Sequence, residues 1–154
     1  MLTDEEIREL EAGLAPYPKR QAGTVDALKI VQRRRGWISN EALRDVAAYL
    51  GVTAEELEQV ATFYSLIFRR QVGRHVIRLC DSVSCWIMGY GNLYAELTEK
   101  IGIRFGETSA DGRFTLLPSS CLGACDHAPA LMIDDDLITE WNATGIDPVL
   151  SRYP

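Results

Sequence analysis

The sequence is short of cysteine and histidine, with four and two in 154 residues, and it has no basic excess and no long apolar run. No stretch approaches the ~20 apolar residues that a membrane-spanning helix needs. Lys and Arg total 16 against 22 for Asp and Glu, a net charge of −6. That balance argues against a general nucleic-acid binder, which needs basic side chains to neutralise phosphates. The opening residues, Met1-Leu2-Thr3-Asp4-Glu5-Glu6, are acidic, whereas secretory and mitochondrial targeting segments begin basic. A cytoplasmic, bacterial-type location is therefore expected. In such a reducing compartment paired cysteines serve as metal ligands or redox groups more often than as structural disulfides.

What the sequence does contain is unevenly spread. Residues 1–79 carry 12 basic and 11 acidic side chains, whereas residues 80–154 carry 4 and 11, so the second half alone holds −7. All four cysteines lie in that acidic half, as Cys80-x4-Cys85 and Cys121-x3-Cys125, with 35 residues between the pairs. At 47% hydrophobic residues the chain has enough apolar matter for a real core, so long-range disorder is not expected.

Local signals divide the chain in two. Thr3-x-x-Glu6 and Thr53-x-x-Glu56 are capping boxes, in which a threonine hydroxyl and a glutamate carboxylate satisfy the free N–H groups of a helix start. Val25, Leu28 and Val31 mark another helix closed by Gly36, and Ser39 caps a further one with Ile38 and Leu43 as a hydrophobic staple. Four helices in a compact N-terminal bundle, residues 1–72, are predicted, for support or docking. Beyond it the period changes. His75–Leu79 reads as a buried strand ending at Cys80, Leu93, Leu97 and Ile101 as a crossover helix, and Phe114–Leu117 as a strand stopped by Pro118. Ala130–Ile133 and Leu137–Trp141 complete four strands, and Asp147 followed by Pro148 reads as a helix cap and first turn. Residues 73–154 thus form an α/β unit, crossover first and hairpin second. Both cysteine pairs are expected in loops just beyond strand ends.

Four thiolates arranged two-plus-two can hold one metal centre if each loop curls back, and Leu122-Gly123-Ala124 is small enough to do so. Backbone N–H groups in such loops stabilise negative sulfur, and Val83, Trp86, Leu122 and Ala124 are placed to cover the site. A zinc ribbon usually pairs cysteines two residues apart, and a dithiol catalyst uses Cys-x-x-Cys near a helix start; neither spacing occurs here. A 2Fe–2S cluster on four thiolates fits best, with structural zinc remaining open on spacing alone. Reduction would add a negative charge to an already acidic half, so a low potential is expected if Asp81, Asp126 or Asp134–Asp136 lie near. His127 follows Cys125 by two residues, but four thiolates already complete a site, so a surface role is expected of it.

Longer motifs narrow the reading. Val60-Ala61-Thr62-Phe63-Tyr64-Ser65, the run Gly73–Ser82 around Cys80, Asp111–Pro118, and Cys121-Leu122-Gly123-Ala124-Cys125-Asp126 are the relevant stretches. Together, over roughly residues 17 to 135, they resemble the E-subunit family of NADH–quinone oxidoreductase, the respiratory complex I. The segment after Asp136, with Trp141-Asn142-Ala143-Thr144-Gly145, departs from the family's usual pattern. The resemblance implies a helical N-terminal domain and a thioredoxin-like ferredoxin domain, with one 2Fe–2S cluster on Cys80, Cys85, Cys121 and Cys125. It implies association with a flavin-bearing, NADH-oxidising subunit and with other peripheral-arm subunits, on the cytoplasmic side of the bacterial inner membrane. FMN and NAD would belong to the partner, and the chain alone would not be catalytic. The absence of Gly-x-Gly-x-x-Gly agrees with that. Related subunits of NAD-linked hydrogenases and formate dehydrogenases, and a zinc-stabilised docking module, are the rival readings.

Overall fold

In the computed structural model, residues 1–139 and 145–154 are described. They form two compact units, Met1–Gln71 and Val72–Pro154.

The first unit is helical: α1 (Asp4–Leu14), α2 (Thr24–Arg35), α3 (Asn40–Leu50) and α4 (Ala54–Phe63), with a 3-10 turn at Arg20–Gly23 between the first two. Both capping boxes form. Thr3 and Glu6 bond each other's backbone N–H at 3.2 and 2.8 Å, and Thr53 and Glu56 do so at 3.2 and 2.9 Å. Ser39 caps α3 through the Ala42 N–H. The apolar stripes of the four helices meet in one core in which Leu10, Leu28, Ile38, Leu50 and Leu57 are fully buried. The chain leaving α4 is tied back to this unit by side chains. Gln32 accepts from the Phe68 N–H at 2.6 Å and donates to the Leu66 carbonyl at 2.8 Å.

The second unit has a four-stranded sheet in the order β2-β1-β3-β4, built from β1 (His75–Cys80), β2 (Phe114–Ser119), β3 (Leu131–Ile133) and β4 (Asp136–Ile138). After β1 come a short helix α5 (Val83–Ile87) and the crossover helix α6 (Tyr90–Ile101); α7 (Asp147–Leu150) lies near the end. β1 and β2 are parallel, as a helical crossover requires, while β3 runs antiparallel to both β1 and β4. Leu93 and Leu97 of α6 bury against Ile77, Leu79, Leu116, Leu131 and Ile133 of the sheet.

Two details differ from the sequence reading. β2 continues through Pro118 to Ser119. It is an edge strand, and proline's missing N–H is tolerated where no neighbour needs it. The N-cap of α7 is Ile146, so Asp147 is already its first residue. β4 is described only as Asp136–Ile138, and the expected continuation through Glu140 and Trp141 lies outside the described residues.

Candidate metal centre

Register delivers the cysteines to one place. In the parallel pair, Cys80 stands opposite Ser119, two residues before Cys121. On the other side of β1, the Cys80 N–H donates to the Ala130 carbonyl at 3.1 Å. The carboxyl ends of β1 and β2, and the approach to β3, therefore meet at one end of the sheet. In open α/β sheets that is where the backbone leaves room for a ligand.

The cysteines occupy four different local settings. Cys80 is the last residue of β1, Cys85 lies within α5, Cys121 is in the loop after β2, and Cys125 begins a 3-10 turn ending at His127. Only Cys121 sits in irregular chain, which corrects the expectation that both pairs lie in loops. The short helix that carries Cys85, beginning three residues after Cys80, supplies the curl that the first spacing needs. Cys80 and Cys85 are buried together with Ala124 and Ala130, and Leu122 and Ala128 pack against them. Cys121 and Cys125 are exposed. Of the four residues expected to cover the site, Leu122 and Ala124 do so, whereas Val83 and Trp86 are turned to the surface.

All four thiols are free, and they interact electrostatically within and across the two pairs. The Cys121 and Cys125 sulfurs are 3.3 Å apart, and the Gly123 N–H donates to Cys121 Sγ at 3.3 Å. Burial opposes ionisation of Cys80. N–H bonds from Ser82 and Leu122, a bond from the Cys85 thiol and the Ser82 hydroxyl outweigh it, so its pKa lies below the usual thiol range. Cys85 is pushed up, first by burial and then by the neighbouring Cys80, despite an N–H bond from Ala130. Of these two buried sulfurs, Cys80 is the easier to ionise. Cys125 is pushed up chiefly by its hydrogen bond with Cys121 and their mutual repulsion, against a bond from the Ser84 hydroxyl.

Sulfurs so close resist ionising together, because each thiolate raises the cost of the next. A cationic centre removes that cost, and thiolate ligation releases the protons. The donor set therefore fits an iron–sulfur centre: four sulfurs, backbone N–H groups turned toward them, and small apolar residues behind. Among the described residues, no three or more Cys, His, Asp or Glu side chains group as they would around a single metal ion.

The Ser82 and Ser84 hydroxyls and the N–H groups of Ser82 and Ala130 were not visible in the sequence reading, whereas the Leu122 N–H comes from the loop expected to supply such donors. Ser82 stands where a helix N-cap would, yet it makes no capping bond to α5. Its hydroxyl goes to Cys80 instead.

The acidic residues divide by position. Asp81 and Asp126 are exposed next to ligand candidates, and Asp126 lies 2.9 Å from His127, which is itself exposed. Asp134 is at the opposite end of β1, where its carboxylate meets His75 Nδ1 at 2.7 Å and the Val76 N–H at 2.9 Å. Five residue steps along the strand take His75 to Cys80, roughly 16 Å at ~3.3 Å per residue. Asp136 is also occupied away from the sulfurs, accepting from the Tyr153 hydroxyl at 2.7 Å. Asp134 and Asp136 are therefore not local to the centre, which corrects that part of the expectation.

The family model for the thioredoxin-like 2Fe-2S ferredoxin matches residues 10–154, including the segment after Asp136. The chain is 46% identical over 153 residues to the NADH-quinone oxidoreductase E subunit of Pseudomonas aeruginosa, covering 99% of this chain and 92% of that protein. It is 47% identical over 152 residues to the Escherichia coli protein of the same name, with the same two coverages. Among solved structures, an NAD+-reducing NiFe-hydrogenase in its H2-reduced state superposes with a TM-score of 0.73 at 25% identity. That match covers 85% of this chain but only 22% of the hydrogenase chain. With the family match spanning nearly the whole sequence and the four thiols gathered at one sheet end, the chain belongs to the thioredoxin-like 2Fe-2S ferredoxin family and, within it, to the E subunits of NADH-quinone oxidoreductase.

Proposed function

We propose that this chain is an electron-transfer subunit of an NADH–quinone oxidoreductase, holding one 2Fe–2S cluster on Cys80, Cys85, Cys121 and Cys125. The observation that carries the assignment is the meeting of two sulfur pairs, 35 residues apart in sequence, at the carboxyl ends of parallel β1 and β2. The four thiolates, two from each pair, would hold the two irons of such a cluster. When bound, such a cluster takes up and releases a single electron. The chain's own part is to fix the sulfurs from a rigid sheet and to turn N–H and hydroxyl donors toward them. Ala124, Ala128, Ala130 and Leu122 keep the inner side apolar.

In this reading the electron donor is a flavin-bearing partner subunit that also binds NAD, and the chain works within the peripheral arm at the cytoplasmic face of the membrane. Among the described residues no helix is long and apolar enough to cross a membrane. A second reading, the equivalent subunit of an NAD-linked hydrogenase, is favoured by the structural match to such an enzyme. The higher identity to respiratory subunits along almost the full chain favours the first.

Metal analysis of anaerobically purified protein, with EPR after dithionite reduction, tests the assignment. Two irons per chain and a reduced-cluster signal are expected, lost or altered in Cys→Ser variants at any of the four positions. One zinc per chain with no signal would overturn it. Copurification with NADH-dependent quinone reduction, as against hydrogen oxidation, separates the two complexes.

A further inference from the structure

The two cysteine pairs differ in access and in the kind of chain that carries them. Cys80 and Cys85 are each 2% exposed, one at the end of β1 and the other inside α5. Cys121 and Cys125 are exposed, one in irregular chain and the other opening a 3-10 turn. Their sulfurs already stand 3.3 Å apart. A disulfide holds its sulfurs at about 2.05 Å, so the outer pair has roughly 1.2 Å left to close. No strand or α-helix has to break for that approach, because Leu122-Gly123-Ala124 between them is irregular and turns at Gly123. The outer thiols are thus both reachable by a small solute and positioned to join.

We infer that Cys121 and Cys125 are a reversible redox modification site of the cluster-free chain, closing to a disulfide that blocks metal loading until it is reduced. The inference rests on the reading above, in which the same two sulfurs are cluster ligands. The oxidant is a low-molecular-weight disulfide of the glutathione class. One thiolate of the pair attacks a sulfur of that disulfide, breaking its S–S bond, forming a mixed disulfide and releasing one small thiol. The neighbouring cysteine, its proton given to water, then attacks the protein sulfur of the mixed disulfide. The Cys121–Cys125 bond forms and the second small thiol leaves. The protein gives up two electrons and two protons, and the small disulfide takes up both. Proximity decides the outcome: a neighbour at 3.3 Å resolves the intermediate, whereas a solitary exposed thiol can be carried on to sulfinic and sulfonic acids that thiols do not reverse. Burial keeps the reagent from Cys80 and Cys85. The closed form has lost two of the four thiolates, so it cannot hold a four-thiolate centre.

The test uses the full chain, stripped of its centre by a chelator without oxygen and then incubated with excess glutathione disulfide. Alkylation after unfolding, mapped by mass spectrometry, should show Cys121 joined to Cys125 and both Cys80 and Cys85 alkylated. The loaded chain under the same treatment should show no such bond. Co2+ alone then reports on the site through its thiolate absorption. The oxidised chain should bind it about tenfold or more weakly than the reduced chain, and dithiothreitol should restore binding. Outer thiols that stay free or hold only glutathione overturn the inference, as does a disulfide that involves Cys80 or Cys85. Equal Co2+ affinity of the two forms overturns the block on loading. Iron and sulfide added to the reduced chain test the underlying reading separately. Failure to take up a cluster overturns that reading and the role in loading together, whereas failure of the disulfide alone leaves the cluster reading standing.

Discussion

The Gly123 N–H donates to Cys121 Sγ at 3.3 Å from a backbone held at φ +82°. The two facts are connected. The second cysteine pair closes to 3.3 Å only because the three residues between its members turn back, and Gly123 supplies the left-handed step in that turn.

Replacing Gly123 with alanine tests this directly. A Cβ there would meet nothing within 4 Å, so the cost is conformational and not steric crowding, about 1–2 kcal/mol for an L-residue in the left-handed region. Gly123→Ala should lower iron retention under chelator challenge, read by visible absorbance, while far-UV circular dichroism stays unchanged. Gly123→Asn should be milder, because asparagine tolerates that conformation better.

Charge near the sulfurs should set part of the reduction potential. Removing a negative charge makes an added electron less unfavourable, so Asp81→Asn and Asp126→Asn should each raise the potential of the loaded centre. Both residues are exposed and solvent-screened, which limits each effect to the order of 10 mV. Asp134→Asn, at the far end of β1, should leave it unchanged within error. Protein-film voltammetry resolves these differences, and equal shifts in all three variants would contradict the placement.

The helical unit should carry a distinct acid sensitivity. Arg35 grips the buried Glu6 carboxylate with bonds of 2.6 and 2.7 Å. That contact, with the Thr3 N–H bond, holds the Glu6 pKa down at about 2, against burial. A carboxylate whose folded pKa is depressed adds stability above its unfolded value, and that stability is lost as pH falls toward the folded one. The contribution, on the order of 2 kcal/mol, should therefore be full above about pH 5 and fade down to about pH 2. Glu6→Gln should flatten urea-denaturation stability across that window and lower it at neutral pH.

Gly73 should accept a side chain only at a cost. A Cβ at this position would stand 2.9 Å from the carbonyl carbon and oxygen of Arg113 and 2.9 Å from the carbonyl carbon of Phe114. Backbone cannot swing aside as a flexible side chain can, and the Gly73 N–H also bonds the Thr115 hydroxyl at 2.6 Å. Gly73→Ala should cost about 1–3 kcal/mol and should disturb the start of the β1–β2 pairing, read as faster amide exchange at Arg74 and His75, whose N–H groups donate to the Gly112 and Arg113 carbonyls.

Much of the fold was legible because its signals are local. A threonine with a glutamate three residues on satisfies helix-start N–H groups whatever packs nearby, and both such pairs cap helices. The apolar period of Leu93, Leu97 and Ile101 placed the crossover helix. The short helix around Cys85 was not legible, since five residues are too few to show a period. Pro118 misled because proline ends strands only where its N–H is needed, and whether it is needed depends on which strand lies alongside.

By itself the sequence determined the donor chemistry: four cysteines, their two spacings, the small loop around Gly123, the acidic surroundings and the motifs of the family. These are properties of residues and of neighbours a few positions apart. Only the tertiary structure decided that the two pairs meet, because that depends on the β1–β2 register across an intervening helix. It also decided which acids stand beside the sulfurs, and that Trp86 faces water while Cys85 faces the core. Long-range pairing and burial arise from packing between distant segments, and no local pattern carries them.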